Sequence, residues 1–81
     1  MTFRTGQHIA FSGHFLSPRS ELAARAQRAG LHVESAVTDR TDVLVANDAG
    51  SGSPSVRAAI ARGIPLVDEY SFEASLGLTT V

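Results

Sequence analysis

The sequence predicts an α/β domain in the order β-α-β-β-α-β-α, with a mostly parallel sheet flanked by helices on both faces. Three observations lead there. Short apolar runs of strand length alternate with segments whose apolar residues recur at helical spacing. Two helical segments open on Ser-Pro, at 17–18 and 53–54, and stop at Gly30 and Gly63. Finally, the run 42–46 is apolar on both faces, as a central strand of a parallel sheet reads.

Residues 8–11 form the first strand, closed by Ser12-Gly13. Ser17 is placed to cap a helix over 18–29, with Pro18 first, where its missing N–H is least needed. Leu22, Ala26 and Ala29 make the buried stripe of that helix, and Gly30 suits a left-handed stop. Residues 31–34 form a second strand with Leu31 and Val33 on one face, and 35–41 are polar and turn-like. Residues 42–46 are the third strand, and 47–52, rich in Gly, Ser, Asn and Asp, a flexible loop. A second helix over 54–62 is capped by Ser53, buries Val56, Ala59 and Ile60, and ends at Gly63. Residues 64–67 form a fourth strand, in which Pro65 belongs at an edge or end because it cannot donate to a ladder. A last helix over 69–76 turns Phe72 and Leu76 inward and stops at Gly77, leaving 78–81 as a frayed tail.

At 81 residues with 43% hydrophobic content, the chain is one domain with one small core. No apolar run approaches the roughly 20 residues needed to span a bilayer, and no signal peptide is visible, so a cytoplasmic home is expected. The absence of cysteine removes disulfides, thiol catalysis and thiolate zinc sites. A net charge of −1 argues against a general coat for nucleic acid. All seven basic residues are arginines, a type suited to forked recognition of phosphate or carboxylate, though most read as solvated helix-face charges.

Several segments, in order, resemble the BRCT family. Ile9-Ala10-Phe11-Ser12-Gly13 followed by Pro18-Arg19-Ser20-Glu21-Leu22 is similar to its opening strand, Ser/Thr-Gly turn and arginine-containing helix start. Ala29-Gly30-Leu31-His32-Val33 resembles its turn into strand two, and Thr38-Asp39-Arg40-Thr41-Asp42-Val43-Leu44-Val45 its approach to strand three. The stretch 57–67, with Gly63-Ile64-Pro65 inside it, resembles its second helix, Gly-Ile-Pro and fourth strand. The likeness covers about residues 6–77 of a single domain 1–81, and the bacterial branch looks closest, as in NAD-dependent DNA ligases and exonucleases of the DNA polymerase III epsilon type. It implies a four-stranded parallel sheet in the order 2-1-3-4 flanked by three helices, with no catalytic site and no cofactor, cut from a longer DNA-processing protein. Two departures stand out: the family's lysine near the start of the second helix is missing, and so is the tryptophan that many eukaryotic members carry in the last helix.

With that strand order, a ligand belongs at the carboxyl ends of strands one and three, where the order reverses. Ser12 and Gly13 end strand one there, Arg19 opens the first helix, and Ser53, Ser55 and Arg57 lie in the first turn of the second, whose N–H groups and dipole favour an anion. These six residues are the candidate phosphate site. Ser12-Gly13 and Arg19 carry over from the family by position, and Arg57 is a stand-in for the missing lysine. The family uses such pockets for phosphoserine peptides, in paired domains, and for the 5′-phosphate end of duplex DNA. The same residues also have a purely structural reading as a tight turn, a helix cap and a solvated charge.

The resemblance thus implies two kinds of partner, a 5′-phosphate DNA end or nick, or a DNA-repair or replication protein. The expected setting is bacterial, cytoplasmic and nucleoid-associated, without a membrane, and as a monomer or weak dimer. Other chemistries are weaker. His8, His14 and His32 lack metal-ligand spacing, although His8 and His32 should lie on neighbouring strands. Ser12, His14 and Asp48 make a triad only on paper. Gly50-Ser51-Gly52-Ser53 lacks the lysine of a nucleotide-binding loop. Asp68-Glu69 precedes a helix, where acids act as caps.

Overall fold

The computed structural model describes residues 3–48, 50 and 52–79. The element order is β1 (His8–Ser12), α1 (Arg19–Arg28), β2 (His32–Glu34), β3 (Val43–Ala46), α2 (Pro54–Ala61), β4 (Leu66–Val67) and α3 (Glu69–Thr79). All strand pairs are parallel and the sheet runs β2-β1-β3-β4, the order that the resemblance implied.

Alternation along the two central strands divides the core. Ile9 and Phe11 of β1 and Val43 and Val45 of β3 face one side, where Leu22 and Ala26 of α1 and Phe72 and Leu76 of α3 pack with Phe3 and Leu31. Ala10, Leu44 and Ala46 face the other side, where α2 lays Val56 and Ala59. Phe72 is fully buried, and its ring meets Phe3 at 5.7 Å and Phe11 at 5.3 Å between centroids, the second nearly edge-on. Phe3, outside every predicted element, belongs to this core at 3% exposure.

The first helix ends as expected. Leu31 N–H reaches Ala26 O and Gly30 N–H reaches Gln27 O, while Gly30 takes φ +85°. A β-carbon there would also lie 2.8 Å from Cγ2 of Thr5. The second helix closes in the same way, through Ile64 N–H to Ala59 O and Gly63 N–H to Ile60 O. Ser53 caps its start by accepting from Val56 N–H at 3.3 Å, with Pro54 first in the helix.

Other expectations are corrected. Pro18, not Ser17, is the cap residue of α1, and no side chain caps that helix. Ile60 is 61% exposed, not buried. The buried arc of α2 is centred on Ala59, between Ser55 and Val56, and Ile60 is one residue, about 100°, past that centre. α3 does not stop at Gly77 but runs to Thr79, since the packing of Phe72 and Leu76 outweighs the roughly 1 kcal/mol helix penalty of glycine. β4 is only two residues long, so Ile64 and Pro65 precede it. Ala49 and Ser51 of the 47–52 loop, and residues 80–81 of the tail, lie outside the described residues.

Candidate functional site

Ser12 ends β1 in register with Ala46 at the end of β3, so both strands finish together at the switch in strand order. Ser12 is 7% exposed. Gly13 follows at φ +84° and turns the chain towards α1. Arg19, the first residue of α1, donates from Nη2 to the Gly13 carbonyl at 2.7 Å. Its guanidinium lies 5.7 Å from the centroid of the Phe15 ring, which meets Phe11 edge-on. Arg19 therefore clamps the β1–α1 loop. It also borders a cleft of about 490 Å³ floored by Phe11, Ala23 and Val33, on the β2 side of β1 rather than at the β1–β3 gap.

Ser53, Ser55 and Arg57 occupy the start of α2, with Ser53 as cap and Arg57 exposed. Among the described residues no hydrogen bond or ion pair engages the Arg57 side chain. Asp48, which follows β3, meets the first of these two groups of candidate residues at Gly13. A β-carbon built on Gly13 would lie 2.9 and 3.1 Å from the two Asp48 carboxylate oxygens, so the Asp48 side chain lies against the end of β1. The sequence reading had placed Asp48 only in the paper triad. His14 is exposed and its carbonyl accepts from Asn47, with no hydrogen bond linking Ser12, His14 and Asp48 among the described residues.

The structure adds Asn47, which sequence reasoning missed, and corrects Glu69, which that reasoning took for a helix cap. Glu69, at the start of α3, is 5% exposed and accepts from Leu16 N–H at 2.7 Å, Ser17 N–H at 2.9 Å and Asn47 Nδ2 at 3.1 Å. Asn47 in turn accepts from Glu69 N–H at 2.8 Å and donates to His14 O at 3.2 Å. This pair ties the β1–α1 loop to the end of β3 and the start of α3. Burial pushes the Glu69 carboxyl up, but the N–H groups of Ser17 and Leu16, the Asn47 amide and the Ser17 hydroxyl outweigh it and hold the group below its ordinary value. The neighbouring Asp68 is a cap, as read: it accepts from Ser71 N–H at 2.7 Å, and that bond holds its carboxyl low as well.

Beside this pair, Leu16 (97% exposed) and Tyr70 (80% exposed) flank a groove of about 400 Å³ bordered by Asp68 and Glu73. At the opposite end of the sheet, His8 and His32 pair across β1 and β2, their rings stacked at 4.9 Å, with His8 Nδ1 3.7 Å from Glu34 Oε2. Among the described residues no cluster of His, Asp and Glu side chains is arranged to hold a metal, and no helix is long and apolar enough to cross a membrane.

Comparison with known proteins agrees with the architecture. The family model of the BRCA1 C Terminus (BRCT) domain matches residues 1–76. Among solved structures, the C-terminal BRCT domain of human XRCC1 superposes with a TM-score of 0.70 at 18% identity, covering 90% of this chain and 77% of that one. No curated protein matches the chain.

Proposed function

The chain belongs to the BRCT family, and we propose that it serves as a non-catalytic binding module of a bacterial DNA replication or repair protein, taking the 5′-phosphate of a DNA end or nick. BRCT domains are binding modules of DNA repair, and this general role is the premise for the finer assignment. The observation that carries the proposal is the common end of β1 and β3 at the switch in strand order, with Ser12-Gly13 there and the Asp48 side chain against Gly13. Ser12 would donate its hydroxyl, the α2 N-terminus its N–H groups and dipole, and Arg57 the positive charge that a lysine brings in relatives. Ser53 and Ser55 shape the same turn, and Arg19 sets the loop through the Gly13 carbonyl. Any ligase or exonuclease activity would reside in other residues of a parent such as an NAD-dependent DNA ligase or an epsilon-type exonuclease, with the whole acting in the cytoplasm at the nucleoid.

The test is a titration with duplex bearing a 5′-phosphate and with the same duplex lacking it. Tighter binding of the phosphorylated duplex, lost in Arg57→Ala, supports the proposal. Equal binding of both overturns it. A second reading, a protein-interaction or phosphopeptide module without DNA contact, is favoured by the Leu16 and Tyr70 surface, where two large apolar side chains stand in solvent beside carboxylates that repel DNA. Under that reading neither duplex binds, and Tyr70→Ala weakens capture of the protein partner.

A further inference from the structure

We infer that Asp48 is a specificity-determining residue of the proposed phosphate pocket, an acid that holds the affinity for anions low; the inference rests on that reading of the pocket. The chain has eight acidic residues. Seven have a hydrogen-bonding task within the fold: Glu21 and Glu73 on Arg25, Glu34 on Thr41, Asp39 on Arg62, Asp42 on His8 N–H, Asp68 on Ser71 N–H, and Glu69 on the β1–α1 loop. Asp48 alone has no such partner among the described residues, and it pairs with no arginine there. It is exposed, yet its two oxygens lie against the bare face of Gly13, 2.9 and 3.1 Å from where a β-carbon would stand.

A carboxylate in that place makes no hydrogen bond or ion pair among the described residues and puts a negative charge at the end of β1, where the proposed pocket takes its anion. Like charges a few ångströms apart repel even in water, by about a factor of five in affinity per charge pair at 4 Å. A phosphate bearing nearly two charges meets that repulsion twice. The pocket would then hold a phosphate only with further contacts to the rest of the partner, and would stay empty of free phosphate and other small anions.

The test compares wild type, Asp48→Asn and Asp48→Ala, with Asp39→Asn as a control that removes the same charge from the other end of the sheet, where Asp39 pairs with Arg62. Anisotropy titrations use duplex with and without a 5′-phosphate at low salt. The expected result is a tightening of roughly 5- to 30-fold for the phosphorylated duplex in both Asp48 variants, with less than about twofold change for the unphosphorylated one, and a gain that shrinks at high salt. Asp39→Asn should change neither. If wild type prefers the phosphorylated duplex and the Asp48 variants keep the same preference and affinity, the inference fails and the proposed function stands. Equal tightening of both duplexes overturns the inference too, as a general charge effect. If wild type and variants all bind the two duplexes alike, the proposed function fails and the inference with it. A preference that appears only after Asp48 is replaced supports the inference about Asp48 and overturns the proposed function of the wild-type chain.

Discussion

Replacing Gly13 with alanine tests whether the end of β1 is fixed by backbone geometry or by side-chain contact. Gly13 sits at φ +84°, a left-handed conformation in which a β-carbon costs about 1–2 kcal/mol. The new methyl would also meet the Asp48 oxygens at 2.9 and 3.1 Å. Asp48 is exposed and can rotate away, so that contact adds about 0.5–1 kcal/mol. The backbone contribution is the larger, and the sum is about 1.5–3 kcal/mol. A domain of 81 residues has a total stability of about 4–12 kcal/mol, so the variant should still fold. Its melting temperature should drop by about 10 °C. Urea unfolding followed by circular dichroism on Gly13→Ala, Asp48→Ala and the double variant separates the two contributions. Asp48→Ala alone should be neutral within about 0.5 kcal/mol, and the double variant should recover no more than about 1 kcal/mol of the Gly13→Ala loss. Full recovery in the double variant would show that the cost lies in the contact and not in the backbone. A loss below about 0.5 kcal/mol for Gly13→Ala would show that the turn needs no glycine.

Acid should loosen the β1–α1 loop. The Glu69 carboxyl is held low in the fold, so the stability it brings is complete above its ordinary value of 4.5 and fades as pH falls through the lower folded value. Asp68 acts in the same direction, so a melting series from neutral to acid pH should fall for wild type and fall less steeply for Glu69→Gln. Phe72→Ala removes a fully buried ring with two aromatic neighbours and should cost about 3–5 kcal/mol by urea unfolding, with Phe72→Leu losing less than half as much. Ile60→Gln, at an exposed position, should change stability by no more than about 0.5 kcal/mol in the same assay, and a loss of 2 kcal/mol or more, about that of a buried isoleucine, would contradict the placement of Ile60.

The fold was legible where short-range chemistry decides it. The short apolar run of β1 and the doubly apolar β3 placed those strands, and the glycine stops of α1 and α2 were local signals read correctly. Ser53-Pro54 and Ser17-Pro18 looked alike in sequence but behave differently in the fold. Ser53 caps its own helix, whereas Ser17 gives its N–H to Glu69, 52 residues away. That long separation is also why the Asn47–Glu69 pair escaped notice, since neither residue stands in a local pattern that reports the other. The Asp68 cap, three residues from its partner, was readable for the opposite reason. Ile60 was misread because a two-turn helix leaves little room for a wide stripe, and the small residues Ala10 and Ala46 beneath it select only one edge. Within the candidate site, the residue types were visible, but the carboxylate against Gly13 was not, because Asp48 and Gly13 are distant in sequence and meet only when β1 and β3 pair.

The sheet ends on both sides in very short strands. β2 has three residues and β4 has two, with Pro65 immediately before it. An incoming chain seeking to extend the sheet would find too few unpaired backbone groups on either flank to register against, so the domain offers little template for runaway stacking of copies. The same brevity bears on recognition. Partners cannot be gripped as an added strand over any useful length, which leaves side chains at loop tips and helix ends to make the contacts.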